Sequence, residues 1–327
     1  MDSNNDYILI TGAAGFIGMS LAIKFLSENN NVIGLDNENT YYDVNLKKSR
    51  LKNINLHKNS DLFTYIKGDL NSKSTWKKIS KYKVKAVFHL AAQAGVRYSI
   101  SNPWAYIESN ILGFQNVLDY TKQNNIKDFF YASSSSVYGK SDNVPFKETH
   151  QCNQPESYYA ATKISNELMA FSYQKVFGLK SIGLRFFTVY GPWGRPDMAP
   201  YLFVDSAINN KVINVFNYGK QKRDFTYIDD IVKSIFLLYI NKNKLKDSLV
   251  LNIGNGSPTD LENFIEIIEK NVGKKIKKKY QSAQKGDVKI TFADTSKLES
   301  IINYKPDTSI EKGLSNFVLW YKKYNKL

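Results

Sequence analysis

Apolar and polar positions repeat along the first 185 residues in a regular alternation. Short runs rich in β-branched and aromatic residues, at 7–11, 31–35, 63–67, 86–90, 129–133 and 181–186, read as strands, and most end in Gly, Asp or Ser. Amphipathic stretches of helix length separate them, at 17–29, 72–81, 104–124 and 158–177. Strand and helix in repeated alternation predict an α/β fold: a Rossmann-type, doubly wound parallel sheet with helices on both faces.

The pattern changes after Tyr190. Residues 191–200 form a loop rich in Gly and Pro, followed by a short helix and a strand at 213–216. Further on, 229–241, 260–271 and 310–326 read as helices and 249–253 as a strand. The expected division is a sheet domain over 1–185, to which 225–255 return, and a smaller C-terminal α/β domain over 186–224 and 256–327.

Composition narrows the class. Of 327 residues 43% are apolar, enough for a large core, which excludes a disordered chain. One cysteine, Cys152, cannot form an internal disulfide, and no apolar run reaches the ~20 residues of a membrane span. The polar N-terminus does not resemble a signal peptide, so a cytoplasmic protein without membrane insertion is expected. The net charge is +15, yet 40 of the 45 cations are Lys and Asn occurs 33 times. That bias describes a surface filled with Lys and Asn; a nucleic-acid binder would show Arg clusters, so no nucleic-acid partner is expected. The run Lys274, Lys275, Lys277, Lys278 and Lys279 reads as a solvated edge.

The strongest local signal is Thr11-Gly12-Ala-Ala-Gly15-Phe16-Ile17-Gly18, placed between a strand and a helix. Its glycines allow a tight turn, a close approach to a pyrophosphate, and close packing of helix on sheet. Asp36 ends the second strand, where a carboxylate accepts both ribose hydroxyls of NAD and repels the 2′-phosphate of NADP. Asp69, after the third strand, reads as an adenine partner or a helix cap. His89 reads as a core histidine, and three scattered histidines build no metal site.

Tyr159 and Lys163 stand four apart, on one face of a helix. A nearby ammonium lowers a phenol's pKa from about 10, which would let Tyr159 act as a general base while Lys163 also holds the nicotinamide ribose. About 25 residues earlier, Ser133-Ser134-Ser135-Ser136 closes a strand with hydroxyls able to share a proton and bind a sugar.

These motifs, with Asp36 and HisLeuAlaAla at 89–92, resemble the extended short-chain dehydrogenase/reductases that act on nucleotide sugars. Two further stretches, 94–100 and 185–198, are similar to the UDP-glucuronate 4-epimerases, which make UDP-galacturonate. The resemblance implies catalytic Tyr159, Lys163 and Ser134, with NAD lined by Gly12, Gly15, Phe16, Ile17, Gly18, Asp36, Asp69, Leu70, Leu90, Ala91 and Ala92. It implies that Arg97 contacts a UDP-sugar, that Arg223 holds the UDP phosphates, and that Asp287 meets the uridine ribose. It also implies a homodimer through the helices at 104–124 and 158–177. The chain departs from the family at Gln284-Lys285, where Gln-Pro is usual.

Related 4,6-dehydratases carry Thr-Asp-Glu where this chain has Ser134-Ser135-Ser136, so their acid and base are missing. Decarboxylases and galactose-type epimerases place Asn where this chain has Thr188. Ser135, Ser136 and Thr188 offer short hydroxyls suited to a sugar carboxylate, and Arg195 offers a planar fork in a chain that prefers Lys. UDP-glucuronate decarboxylation, epimerisation of an uncharged UDP-hexose, and a non-catalytic NAD sensor or scaffold are the competing readings.

Overall fold

The computed structural model describes residues 6–141, 143–245, 247–283 and 290–327. Gln284, Lys285 and Asp287 lie outside the described residues. The chain divides into two compact units: residues 1–139, 151–185 and 235–251, and residues 140–150, 186–234 and 252–327.

The first unit is built on β1 (Asp6–Thr11), β2 (Asn31–Asp36), β3 (Phe63–Lys67), β4 (Lys83–His89), β5 (Asp128–Ser134), β6 (Ser181–Phe186) and a returning strand, Leu249–Ile253. These form one seven-stranded sheet in the order Leu249–Ile253, β6, β5, β4, β1, β2, β3. It is the doubly wound sheet that the alternation predicts. The pairs β1–β2, β2–β3, β1–β4 and β4–β5 are parallel. The strand order reverses at β1 and β4, and such a switch point opens a crevice at the strands' carboxyl ends.

Helices α1 (Phe16–Ser27), α2 (Val44–Asn55), α3 (Lys73–Ile79), α4 (Tyr98–Ser101), α5 (Pro103–Tyr106), α6 (Gly113–Gln123) and α7 (Tyr158–Phe177) belong to this unit. Successive side chains of a strand point to opposite faces, so both faces of a doubly wound sheet must be apolar. Val87 and Phe129 join Phe114, Val117 and Leu118 of α6 and Ala170 of α7 in one buried cluster. Phe88 and Phe130, the next residues along, stack at 4.8 Å, and Phe25 of α1 packs on Phe88 at 4.9 Å.

The helix expected over 104–124 runs unbroken over residues 103–123, but its ladder changes part-way. Ile107–Leu112 is a π-helical segment between α5 and α6. Its cause is Asn110, whose carbonyl accepts from Asn166 Nδ2 at 2.6 Å while its buried amide points at Gln93 and Thr162. Side-chain capture of a carbonyl diverts the helical ladder, and such bulges cluster at functional sites.

The second unit contains β7 (Thr188–Tyr190), β8 (Val212–Val215), β9 (Lys222–Tyr227) and, after the returning strand β10 (Leu249–Ile253), β11 (Pro258–Asp260), β12 (Lys277–Tyr280) and β13 (Ile290–Thr291). Strands β11, β9 and β13 form one sheet in that order, with β7 also pairing β9, and β8 pairs β12. Helices α8 (Ala199–Ile208), α9 (Ile228–Ile240, which runs on into the first unit), α10 (Leu261–Val272), α11 (Ser296–Ile302) and α12 (Ile310–Tyr324) complete the chain. Phe225 of β9 stacks on Phe264 of α10 at 4.1 Å, which anchors the β9 sheet on its helix layer. Among the described residues, no helix is long and apolar enough to cross a membrane.

Candidate active site

The glycine turn leaves β1 at the switch point and enters α1. Gly12 has φ +75°, and a Cβ there would meet the Ala91 amide nitrogen at 2.7 Å. A Cβ on Gly18 would lie 2.1 Å from the Gly12 carbonyl oxygen, so only glycine lets α1 start this close to the turn. Gly15 is the N-cap of α1, no side chain caps it, and the first turn holds no acid. The amides of Phe16, Ile17 and Gly18 therefore start a helix whose first turn has neither an acidic residue nor a side-chain cap, which fits a diphosphate. These residues fit a dinucleotide.

Asp36 sits beside that turn. Its carboxylate accepts the Ala14 amide at 3.0 Å and the Glu38 amide at 2.7 Å, and a lone pair remains on each oxygen. Burial pushes its carboxyl above the usual range, opposed chiefly by the Glu38 amide and also by the Lys47 ammonium. Asp69 is exposed, accepting from Asn71 N at 2.8 Å and Asn37 Nδ2 at 2.9 Å; the N-cap of α3 is Ser72 instead. Leu70 packs where Gly113 has no side chain: a Cβ on that glycine would touch Leu70 Cδ1 at 3.0 Å. Leu90 and Ala91 are tied back to β1, through the Thr11 carbonyl at 3.1 Å and the Thr11 hydroxyl at 3.2 Å, and Ala92 follows them. His89 is a satisfied core residue as expected: its Nδ1 meets Thr11 Oγ1 at 2.8 Å. Burial, with the Lys163 charge, pushes it down to about 3, so it is neutral.

Ser157 caps α7 by accepting the Ala160 amide at 3.1 Å, which places Tyr159 in the first turn. Tyr159 is half-buried, with Tyr106 edge-on at 6.0 Å between ring centroids. Lys163, one turn on, is buried, lies 6.0 Å from the Tyr159 ring centre, and donates to the Ala132 carbonyl at 2.9 Å. Burial pushes Lys163 down to about 8, against the pull of Glu167. Ser134 ends β5 two residues beyond Ala132, and its hydroxyl oxygen accepts from Ser136 N at 3.2 Å and Ser136 Oγ at 2.9 Å. With two bonds accepted, the Ser134 hydroxyl keeps its proton to donate to a third partner. Ser135 and Ser136 are half-buried in the short turn that follows, and Arg97 is exposed at the start of α4.

In the second unit, Thr188 opens β7 opposite Phe225 and is half-buried. Arg195 makes a two-pronged pair with Asp197, its Nε donating to Oδ1 at 3.0 Å. Its fork thus has a carboxylate partner within its own loop. The loop is backbone-strained, with Trp193 at φ +67° held by Trp320 and Tyr324 at 5.3 and 5.5 Å. Arg223, on β9, donates to the Lys222 carbonyl at 3.0 Å and Gln221 Oε1 at 3.2 Å. Among the described residues, no cluster of His, Cys, Asp and Glu could hold a metal.

Residues 8–254 match the family model described as the NAD dependent epimerase/dehydratase family. The chain belongs to that family. It is 46% identical to Protein CapI of Staphylococcus aureus, over 98% of this chain and 99% of that one. It is 42% identical to the UDP-glucuronate 4-epimerase of Thermodesulfobacterium geofontis, over 97% and 96% of the two chains. The crystal structure of the UDP-glucuronic acid 4-epimerase of Bacillus cereus, in complex with UDP-glucuronic acid and NAD, superposes with a TM-score of 0.88. That match has 32% identity and covers 97% of this chain and 99% of the other.

Four features of this epimerase/dehydratase chain escaped sequence reasoning. Arg50 of α2 is fully buried and donates to the Ala14 carbonyl at 3.2 Å, so Asp36 and Arg50 hold the two successive peptides that flank Ala14 in the glycine turn. Asn110 fixes Gln93 through the bulge described above. Glu167 of α7 accepts Ser133 Oγ at 2.6 Å and a bidentate grip from buried Arg185 at 2.8 and 2.9 Å. Asp224, beside Arg223, is fully buried and accepts from Ala293, Asn255 and Gly256 amides and the Thr226 hydroxyl at 2.9–3.1 Å. For Arg50 the available signal was its type, one of five Arg among 45 cations, whereas Asp224 lies in a polar stretch that gives none.

Proposed function

We propose that this chain is an NAD-dependent UDP-glucuronate 4-epimerase, interconverting UDP-glucuronate and UDP-galacturonate through a 4-keto sugar. What carries the reading is its likeness, over nearly the whole chain, to an epimerase solved with UDP-glucuronic acid and NAD. NAD, when bound, supplies the acceptor and donor of the carbon 4 hydride. Its diphosphate would lie at the start of α1 and its ribose at Asp36, with Asp69, Leu70, Leu90, Ala91 and Ala92 lining the adenine and nicotinamide sides.

Tyr159 takes the proton of the 4-hydroxyl and returns it to the same oxygen once the keto sugar has turned. Lys163 stabilises the phenolate and holds the nicotinamide ribose, and Ser134 donates to the reacting oxygen. Arg223 and Asp287 retain the UDP while the sugar turns, and Arg97 adds a contact. A 4-keto uronate is a β-keto acid, which loses CO₂ when its carboxylate bond aligns with the carbonyl π system. Ser135, Ser136, Thr188 and Arg195 hold the carboxylate out of alignment. To do so, Arg195 exchanges its Asp197 partner for the substrate.

The test is incubation with UDP-glucuronate, followed by NMR of the sugar signals. UDP-galacturonate supports the reading; UDP-xylose or no product overturns it, and turnover of UDP-glucose in preference to the uronate favours the hexose reading. In the same assay Arg195→Ala or Thr188→Ala lowers epimerisation and raises the decarboxylated fraction. Slowing without any pentose product would reduce both residues to substrate positioning.

We propose further that the enzyme works in the cytoplasm as a homodimer, supplying a sugar nucleotide for polysaccharide assembly. The apolar face left exposed on the helices supports the dimer: Trp104 is 69% exposed, Leu112 51%, Leu168 65% and Phe171 53%. Leu168→Glu with Phe171→Glu converts a dimer to a monomer in sedimentation. A wild-type chain that is already monomeric at micromolar concentration sinks the proposal.

A further inference from the structure

Helix α7 carries three ionisable residues at successive turns, Tyr159, Lys163 and Glu167. It grips the end of β5 at two adjacent residues: Lys163 donates to the Ala132 carbonyl at 2.9 Å, and Glu167 accepts the Ser133 hydroxyl at 2.6 Å. The next residue along β5 is Ser134. From β6, Arg185 closes on both oxygens of Glu167, and its guanidinium lies 4.8 Å from the Tyr138 ring centre. A charged pair this buried costs desolvation energy, and an apolar pair of similar volume would pack as well. Its placement offers a reason for it.

We propose that Glu167, braced by Arg185, is a positioning residue for the reaction: its carboxylate is the counter-charge of Lys163 and fixes the strand end that presents Ser134. The proposal rests on the reading of Tyr159 and Lys163 as the catalytic pair. The other titratable groups around Lys163 and Glu167 cannot replace that carboxylate. His89 on β4 is neutral, and burial keeps the Tyr131 phenol of β5 protonated. Arg185 carries the wrong sign, and burial pushes the Cys152 thiol beside it up. Tyr159 is the group whose ionisation Lys163 serves.

The sign follows from the ammonium. Lys163 is pushed down to about 8, so the charge that favours the Tyr159 phenolate is present below that pH and lost above it. Glu167 is the acid whose charge pulls Lys163 upward. Removing that charge lowers Lys163 further, and the alkaline limb of kcat moves to lower pH.

The experiment measures kcat against pH for the wild type, Glu167→Gln and the double variant Glu167→Gln/Arg185→Met, which leaves no unpaired guanidinium. Both variants shift the alkaline limb down by roughly one pH unit, so that the ratio of rates at pH 9 and pH 7 falls about fivefold. KM for UDP-glucuronate and bound NAD stay near wild type. A lower kcat with an unmoved limb in the double variant means that the pair is only structural, and the inference fails. Tyr159→Phe is run alongside: if it stays active, the catalytic reading itself has failed, whatever the limb does.

Discussion

Tyr159→Phe leaves the protein folded, loaded with NAD and able to bind UDP-sugar, but without turnover. The change removes one hydroxyl from a half-buried ring whose edge-on contact with Tyr106 at 6.0 Å is retained. Lys163 keeps its bond to the Ala132 carbonyl, so the neighbouring helix and strand are undisturbed. Loss of a general base costs ~10²–10⁴-fold. The measurement is single-turnover and steady-state epimerisation, with UDP-sugar binding by calorimetry. A variant retaining more than a tenth of the wild-type rate removes Tyr159 from the mechanism, and one that no longer binds the sugar points to a structural role.

Gly18→Ala is expected to be nearly as damaging, for a steric reason. The added carbon would stand 2.1 Å from the Gly12 carbonyl oxygen and 2.8 Å from its carbon, both backbone atoms. Neither can rotate away, so α1 must shift from the turn that it starts. Overpacking of this kind costs ~1–3 kcal/mol or more, and here the shift falls on the amides that would face the diphosphate. The purified variant should contain little NAD, lose most of its activity, and unfold at lower temperature. Gly178→Ala is the control: at φ +71°, a Cβ there meets nothing within 4 Å. Its cost is the backbone strain alone, about 1–2 kcal/mol, with normal NAD content. Equal NAD loss in both variants would show that general instability, not the turn, is responsible.

Much of the sheet and one side of the site can be read directly from the chain. The glycine turn, Asp36, and Tyr159 with Lys163 are legible because each depends on local geometry: a φ that only glycine tolerates, or two residues one helical turn apart. Strand and helix alternation is legible because burying both faces of a parallel sheet requires apolar residues at nearly every strand position. The second half is harder. Strands β7, β11 and β13 have three residues or fewer, and β9 reads LysArgAspPheThrTyr, whose polar start hides a strand. Lys222–Asp224 are paired with β11, and Asp224 is satisfied by donors from residues 255, 256 and 293.

The sequence by itself determined where a dinucleotide turn begins, which helix face carries the phenol and the ammonium, and that the sheet is parallel. Only the tertiary structure decided how the buried charges are answered. Arg50 meets a carbonyl 36 residues away, Glu167 meets Arg185 and Ser133 from two different strands, and Asn110 sits in a π-helical stretch within a helix whose own sequence does not announce it. A buried polar group must find a partner or forfeit its hydration, and any element that folds near it can supply one. The cost is written into the residue type, but the partner is set by the fold.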